Sequence, residues 1–110
     1  MDTGSKKAQL RKGILEYCIL LTLQGDDCYS SDIIETLKKL DMIVVEGTLY
    51  PLLTRLKNSG LLSYRWEEST QGPPRKYYSL TKEGEKALSE LDKSWIEITE
   101  VINTLKNKNI

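Results

Sequence analysis

The sequence predicts an α+β, mainly α fold: a winged helix-turn-helix with a long C-terminal dimerisation helix. Three observations predict it. Residues 46–60 place Leu49, Leu52, Leu53 and Leu56 at helical spacing and end on Gly60, the pattern of a short helix with one buried face and a glycine stop. Leu62, Tyr64 and Trp66 then alternate with Ser63, Arg65 and Glu67, as in one arm of a hairpin. Finally, Leu88, Leu91, Trp95, Ile98, Ile102 and Leu105 recur at alternating steps of three and four, which is a heptad seam.

Each element follows in chain order. Residues 6–24 read as a first helix with two apolar stripes, one of Leu10, Ile14, Tyr17, Cys18 and Leu21, the other of Leu15, Ile19 and Leu23. A helix apolar on two sides needs cover on both: its own domain on one side, and room for a second subunit on the other. Gln24 to Asp27 is a turn, and Ser30 or Ser31 offers an N-cap for a second helix near 31–40, built on Ile33, Ile34, Leu37 and Leu40. Asp41 to Val45 connects it to the helix at 46–60. Two short helices after the first, the last amphipathic and cationic, fit a helix-turn-helix core. The hairpin tip is expected at 69–74, with Arg75 to Leu80 as the return strand and Lys76, Tyr78 and Leu80 on one face. Thr81 is the expected N-cap of a last helix at about 82–107, with a glutamate placed for a capping box. Ala87 and Val101 widen its seam. Such a helix needs a partner groove, most economically in a symmetric dimer. Residues 1–80 form the winged helix-turn-helix and 81–110 the dimerisation helix of one compact unit.

Bulk composition narrows the function. At 110 residues, with 39% hydrophobic and 29% charged residues, the chain has the balance of a soluble globular domain. Residues 13–25 are the most apolar stretch but contain Glu16 and Gln24, and no run reaches the roughly 18 residues of a membrane span. Lys6, Lys7, Arg11 and Lys12 precede that stretch as in a signal peptide. No small-residue cleavage site follows, so the expected location is the cytoplasm and no membrane partner is expected. Cys18 and Cys28 are expected as free thiols in that setting. The absence of histidine removes imidazole acid–base catalysis and the commonest metal ligand. No nucleophile–base pair, metal set or phosphate loop is visible, so neither an enzyme nor a cofactor is expected.

The exposed face of the 46–60 helix carries Thr48, Tyr50, Thr54, Arg55 and Lys57. In a helix-turn-helix the N-terminal part of the second helix reaches base edges while nearby cations hold phosphates. An ordinary solvated face also accounts for these residues. Arg75 and Lys76 beside the stiff Gly-Pro-Pro tip suit a minor groove or a phosphate. A solubilising charge pair is the alternative, and Glu67 and Glu68 dilute the positive field. The basic residues Lys6 to Lys12 are a second candidate phosphate contact or simply a solvated terminus. Ile14, Leu88, Leu91, Trp95, Ile98, Ile102 and Leu105 are the candidate dimer interface. Trp95 either fills that interface or forms an aromatic wall on which a planar small molecule could stack.

These blocks together resemble the PadR family of bacterial transcriptional regulators. The resemblance rests on Glu46-Gly47-Thr48-Leu49-Tyr50-Pro51-Leu52-Leu53-Thr54-Arg55-Leu56, on Gly60-Leu61-Leu62 and on Pro74-Arg75-Lys76-Tyr77-Tyr78-Ser79-Leu80-Thr81-Lys82-Glu83-Gly84. It implies a homodimer that represses promoters by binding pseudo-palindromic double-stranded DNA and is released by a small molecule. The short tail resembles the subfamily whose last helix pairs with the partner's first helix. Two positions depart from the pattern: Val45 stands where a capping Ser is usual, and Cys28-Tyr29-Ser30-Ser31 replaces a His-Gly-Tyr-like segment. The competing reading is a winged-helix protein-interaction module without DNA binding, which zero net charge also fits.

Overall fold

Helix α1 (Thr3–Thr22) opens the fold of the computed structural model, which describes residues 3–42, 46–70 and 72–108. It is followed by β1 (Cys28–Tyr29), α2 (Ser30–Lys39), a short 3-10 helix (Glu46–Thr48), α3 (Leu49–Asn58), β2 (Leu62–Ser69), β3 (Gly72–Leu80) and α4 (Lys82–Asn107). The architecture is the mainly helical winged helix-turn-helix that the sequence predicts. The basic residues Lys6, Lys7, Arg11 and Lys12 lie exposed on the first turns of α1.

The core gathers one face from every helix. Leu15, Ile19, Leu20 and Leu23 come from α1 and the turn after it. Ile33, Ile34 and Leu37 come from α2, Leu49, Leu53 and Leu56 from α3, and Leu62, Tyr78 and Leu88 close the cluster. No polar or charged residue is buried among the described residues, so hydrophobic burial holds these elements together. Two expectations are corrected here. Leu40 is not part of the α2 stripe: it is the C-cap, 67% exposed, because the helix ends at Lys39 before the next turn can bring it inward. Leu88 is not free for a dimer interface, since at 2% exposure it packs into its own core.

The sheet is antiparallel in the order β1-β3-β2. Its first strand is absent from the sequence reading because two residues carry no periodicity; Cys28 pairs with Tyr78 and Tyr29 with Tyr77. The wing is longer than expected. β3 starts at Gly72, opposite Ser69, so Pro73 and Pro74 lie in the strand rather than in the loop. Proline is tolerated there because that end of β3 has β2 on one side only.

The helix ends also differ from expectation. No side chain of Ser30 or Ser31 caps α2; the Asp32 carboxylate reaches back to accept the Tyr29 backbone N–H at 3.2 Å. The expected helical start at 46 is the 3-10 helix, and α3 begins at Leu49 without a side-chain cap from Thr48. Val45, where the family cap is missing, lies outside the described residues. Gly60 ends α3 at φ +84°, as expected. Thr81 caps α4 by accepting the Gly84 N–H at 2.9 Å, but the third residue after it is Gly84, so no glutamate completes a capping box. The same hydroxyl donates to the Gly60 carbonyl at 2.6 Å, and the Thr81 N–H donates to Leu61 at 3.1 Å. These bonds fasten the end of α3 directly to the start of α4.

At its outer face α1 meets α4. The Tyr17 hydroxyl donates to Asp92 at 2.5 Å, and its ring lies 6.3 Å from that of Trp95. That hydrogen bond, then burial, then the charges of Asp92 and Cys18, push the Tyr17 hydroxyl from 10.0 up to about 12. The folded chain therefore holds this proton more tightly than the unfolded chain. Its stabilising effect is complete below pH 10 and is lost as pH rises toward about 12. Denaturant titrations of Tyr17→Phe beside the native protein should show a small deficit below pH 10 that narrows toward pH 12. A pH-independent gap would break the assignment. Cys18 and Cys28 are both free, as expected, and burial pushes both thiols up.

Candidate nucleic-acid interface

Helix α3 and the hairpin face each other across a groove of about 380 Å³. Tyr50 and Thr54, one helical turn apart, line one wall. Trp66, Pro74, Arg75 and Lys76 line the other, with Ser30 and Tyr78 between them. Among the described residues, no carboxylate lines the groove and neither Arg75 nor Lys76 is held by an ion pair. Tyr50, 48% exposed, also borders a second hollow against Ser31, Ile34, Glu35, Lys38 and Lys39 of α2. It therefore stands as a ridge between two concave surfaces.

The two wing cations leave the strand on opposite faces, as neighbours in a strand must. The Arg75 guanidinium lies 4.3 Å from the Tyr29 ring centroid on the β1 side. The Lys76 ammonium lies 4.6 Å from the Tyr64 ring and 5.5 Å from that of Trp66. Lys57 approaches the same Tyr64 ring from α3, at 5.8 Å. Tyr64 thus sits between a cation of the helix and a cation of the wing. These aromatic faces orient the cations without neutralising them.

The other cations are arranged differently. Arg55 donates through Nε to Glu16 of α1 at 2.8 Å, and its Nη2 pairs with the same oxygen. It therefore points away from the groove. The pair is exposed, at 69% and 37%, so it is worth about 1 kcal/mol or less and a phosphate could displace Glu16. Arg65 is committed to Glu67 at 2.7 Å and Asp27 at 3.3 Å, and those hydrogen bonds push its guanidinium further up. Glu67 thus spends its charge on Arg65 rather than on the groove. Thr48 is exposed at the head of α3 but does not line the groove.

The structure therefore brings Tyr50, Thr54, Arg75 and Lys76 together and leaves Thr48, Arg55 and Lys57 around them. It adds Ser30 and Trp66. Trp66 was masked by its place in the Leu62–Tyr64–Trp66 alternation, which suggested a buried stripe. The strand outruns the core at that point, and Trp66 is 61% exposed. Its cross-strand position opposite Lys76 is the signal that could have revealed it.

Elsewhere, α4 carries a partly exposed apolar stripe. Leu91, Trp95, Ile98, Ile102 and Leu105 are between 37% and 54% exposed, and Ile14 of α1 is half-buried. No described helix is long and apolar enough to cross a membrane.

Comparison with known proteins places this arrangement. The model of the transcriptional regulator PadR-like family matches residues 19–90, from the last turn of α1 to the first turns of α4. A solved PadR-like transcription factor from Bacteroides fragilis is 62% identical over 92% of this chain and 98% of its own, with a TM-score of 0.77. A PadR family regulator from Eggerthella lenta is 31% identical over 93% of this chain and 89% of its own, with a TM-score of 0.84. Bacillus subtilis PadR, solved in complex with operator DNA, is 26% identical with a TM-score of 0.65, and the match spans 71% of this chain but 46% of that one. The winged helix, the groove between α3 and the hairpin and these matches agree: the chain belongs to the PadR-like family of transcriptional regulators.

Proposed function

We propose that this chain is a homodimeric, sequence-specific DNA-binding repressor that acts in the cytoplasm and is released by a planar small molecule. The observation that carries the reading is the groove in which Tyr50 and Thr54 of α3 face Lys76 of the wing, across a lining that also includes Arg75 and, among the described residues, no carboxylate. A surface of that chemistry suits a polyanion even though the chain as a whole has no net charge. Thr48, Tyr50 and Thr54 read base edges, while Arg55, Lys57, Arg75 and Lys76 hold phosphates. Residues 1–80 carry this surface. Residues 81–110 supply the dimer contact, through Leu91, Trp95, Ile98, Ile102 and Leu105 with Ile14 at the edge, because an apolar stripe this long is costly to leave in water. Two-fold symmetry then sets the α3 helices about 34 Å apart on a pseudo-palindrome. Trp95, 40% exposed beside Tyr17, provides the aromatic wall for the effector.

Selection of bound DNA from a random pool, repeated with a library of planar aromatic compounds, tests the whole reading. A pseudo-palindromic consensus that is lost with some compounds supports it. Recovery of no preferred sequence overturns it in favour of a protein-interaction module. The double substitution of Arg75→Ala with Lys76→Ala should weaken operator binding and make its salt dependence shallower, by about 0.9 in log–log slope per phosphate contact removed. An unchanged slope would remove the wing from the interface.

A further inference from the structure

Trp66 is a large aromatic residue left 61% exposed on the wing. Its ring is held in place: the Tyr64 ring meets it edge-on at 6.0 Å, and Lys76 lies 5.5 Å from its centroid. It opens onto the groove whose far wall is Tyr50 and Thr54. A second copy of this chain is a poor occupant for that surface, because Arg75 and Lys76 on both copies would be brought together. An anionic partner with apolar edges satisfies both the cations and the indole.

We propose that Trp66 is a DNA-contacting residue of the wing, laying its indole against the sugar and base edges of the duplex while Lys76 holds the adjacent phosphate. This rests on the DNA reading proposed above and adds to it a salt-independent contact. Withdrawal of an apolar surface from water releases no counterions, so its contribution is separable from that of the cations. It also makes the wing sensitive to the shape of a groove rather than to charge alone.

The test uses the full-length chain, the DNA selected above and the fact that the protein has two tryptophans. Incorporation of 5-fluorotryptophan gives two fluorine resonances, assigned with Trp66→Phe. The Trp66 resonance should shift on addition of operator. Trp66→Ala should lose about tenfold in affinity with the salt slope unchanged, as expected for removing one aromatic anchor, and Trp66→Phe should lose less. Should the native protein bind operator with a steep salt slope while the Trp66 resonance stays fixed and Trp66→Ala binds normally, the contact is refuted and the DNA reading stands. If the native protein binds no DNA, both fall. The fluorine shift is read on the unsubstituted chain, so it decides the matter even if Trp66→Ala unfolds.

Discussion

Gly84→Ala is expected to destabilise this domain severely. A Cβ at Gly84 would meet the Leu61 carbonyl oxygen at 2.1 Å and its carbon at 3.1 Å, with Leu80 Cδ2 at 3.2 Å. The first two are backbone atoms, so no side-chain rotation relieves the clash. Leu61 is fixed as well, since its carbonyl accepts from the Thr81 N–H and its N–H donates to Leu56. The first turn of α4 would have to lift off the end of α3. Overpacking typically costs about 1–3 kcal/mol, and rigid neighbours place this case at or above the upper end. With each kcal/mol worth about 4–8 °C in a domain near this size, melting should fall by more than about 10 °C. Calorimetry of Gly84→Ala beside Gly13→Ala is the measurement. Gly13 has nothing within 4 Å of its added Cβ and lies within α1, so the control should gain about 0.5–1 kcal/mol instead. Equal melting temperatures for the two variants would contradict the packing described.

The second large effect is on assembly. Leu91→Asp with Ile98→Asp places carboxylates in the middle of the α4 stripe. Both positions are exposed in the protomer, at 37% and 50%, so the folded monomer should tolerate them. In a symmetric dimer each would be buried without a partner, at several kcal/mol per ion. Dimer affinity should therefore fall by at least about a thousandfold. Sedimentation should give a monomer, and operator binding should weaken because the two half-sites are no longer read together. A dimer that persists would show that the apolar stripe of α4 is not the interface.

The elements that could be read from sequence share a property: their periodicity extends over several turns or strand positions. The core face of α3, the Gly60 stop and the Thr81 cap follow from local pattern and recur in the structure, with Leu49, Leu53 and Leu56 buried and Leu52 partly so. The features that could not be read are short, or depend on where the core ends. β1 is two residues long and exists only because Tyr77 and Tyr78 lie beside it. The Asp32 cap forms where the extended Tyr29, the last residue of β1, runs straight into α2. Leu88 belongs to the same heptad pattern as Leu91, yet it faces inward because α4 still lies against the core there and leaves it one turn later.

The sequence by itself determined the winged helix-turn-helix, the amphipathic α3 and the apolar α4, because burying apolar residues at fixed spacing leaves few other arrangements. Tertiary structure decided which cations serve the groove. Arg55, Arg65, Arg75 and Lys76 are alike in sequence, and their neighbours separate them: Glu16 holds Arg55, Glu67 and Asp27 hold Arg65, and aromatic rings hold Arg75 and Lys76. A carboxylate cancels a charge over a few ångströms, whereas an aromatic face orients it and leaves it intact. For Arg55 and Arg75 that distinction rests on partners 39 and 46 positions away, Glu16 and Tyr29, where no local pattern reaches.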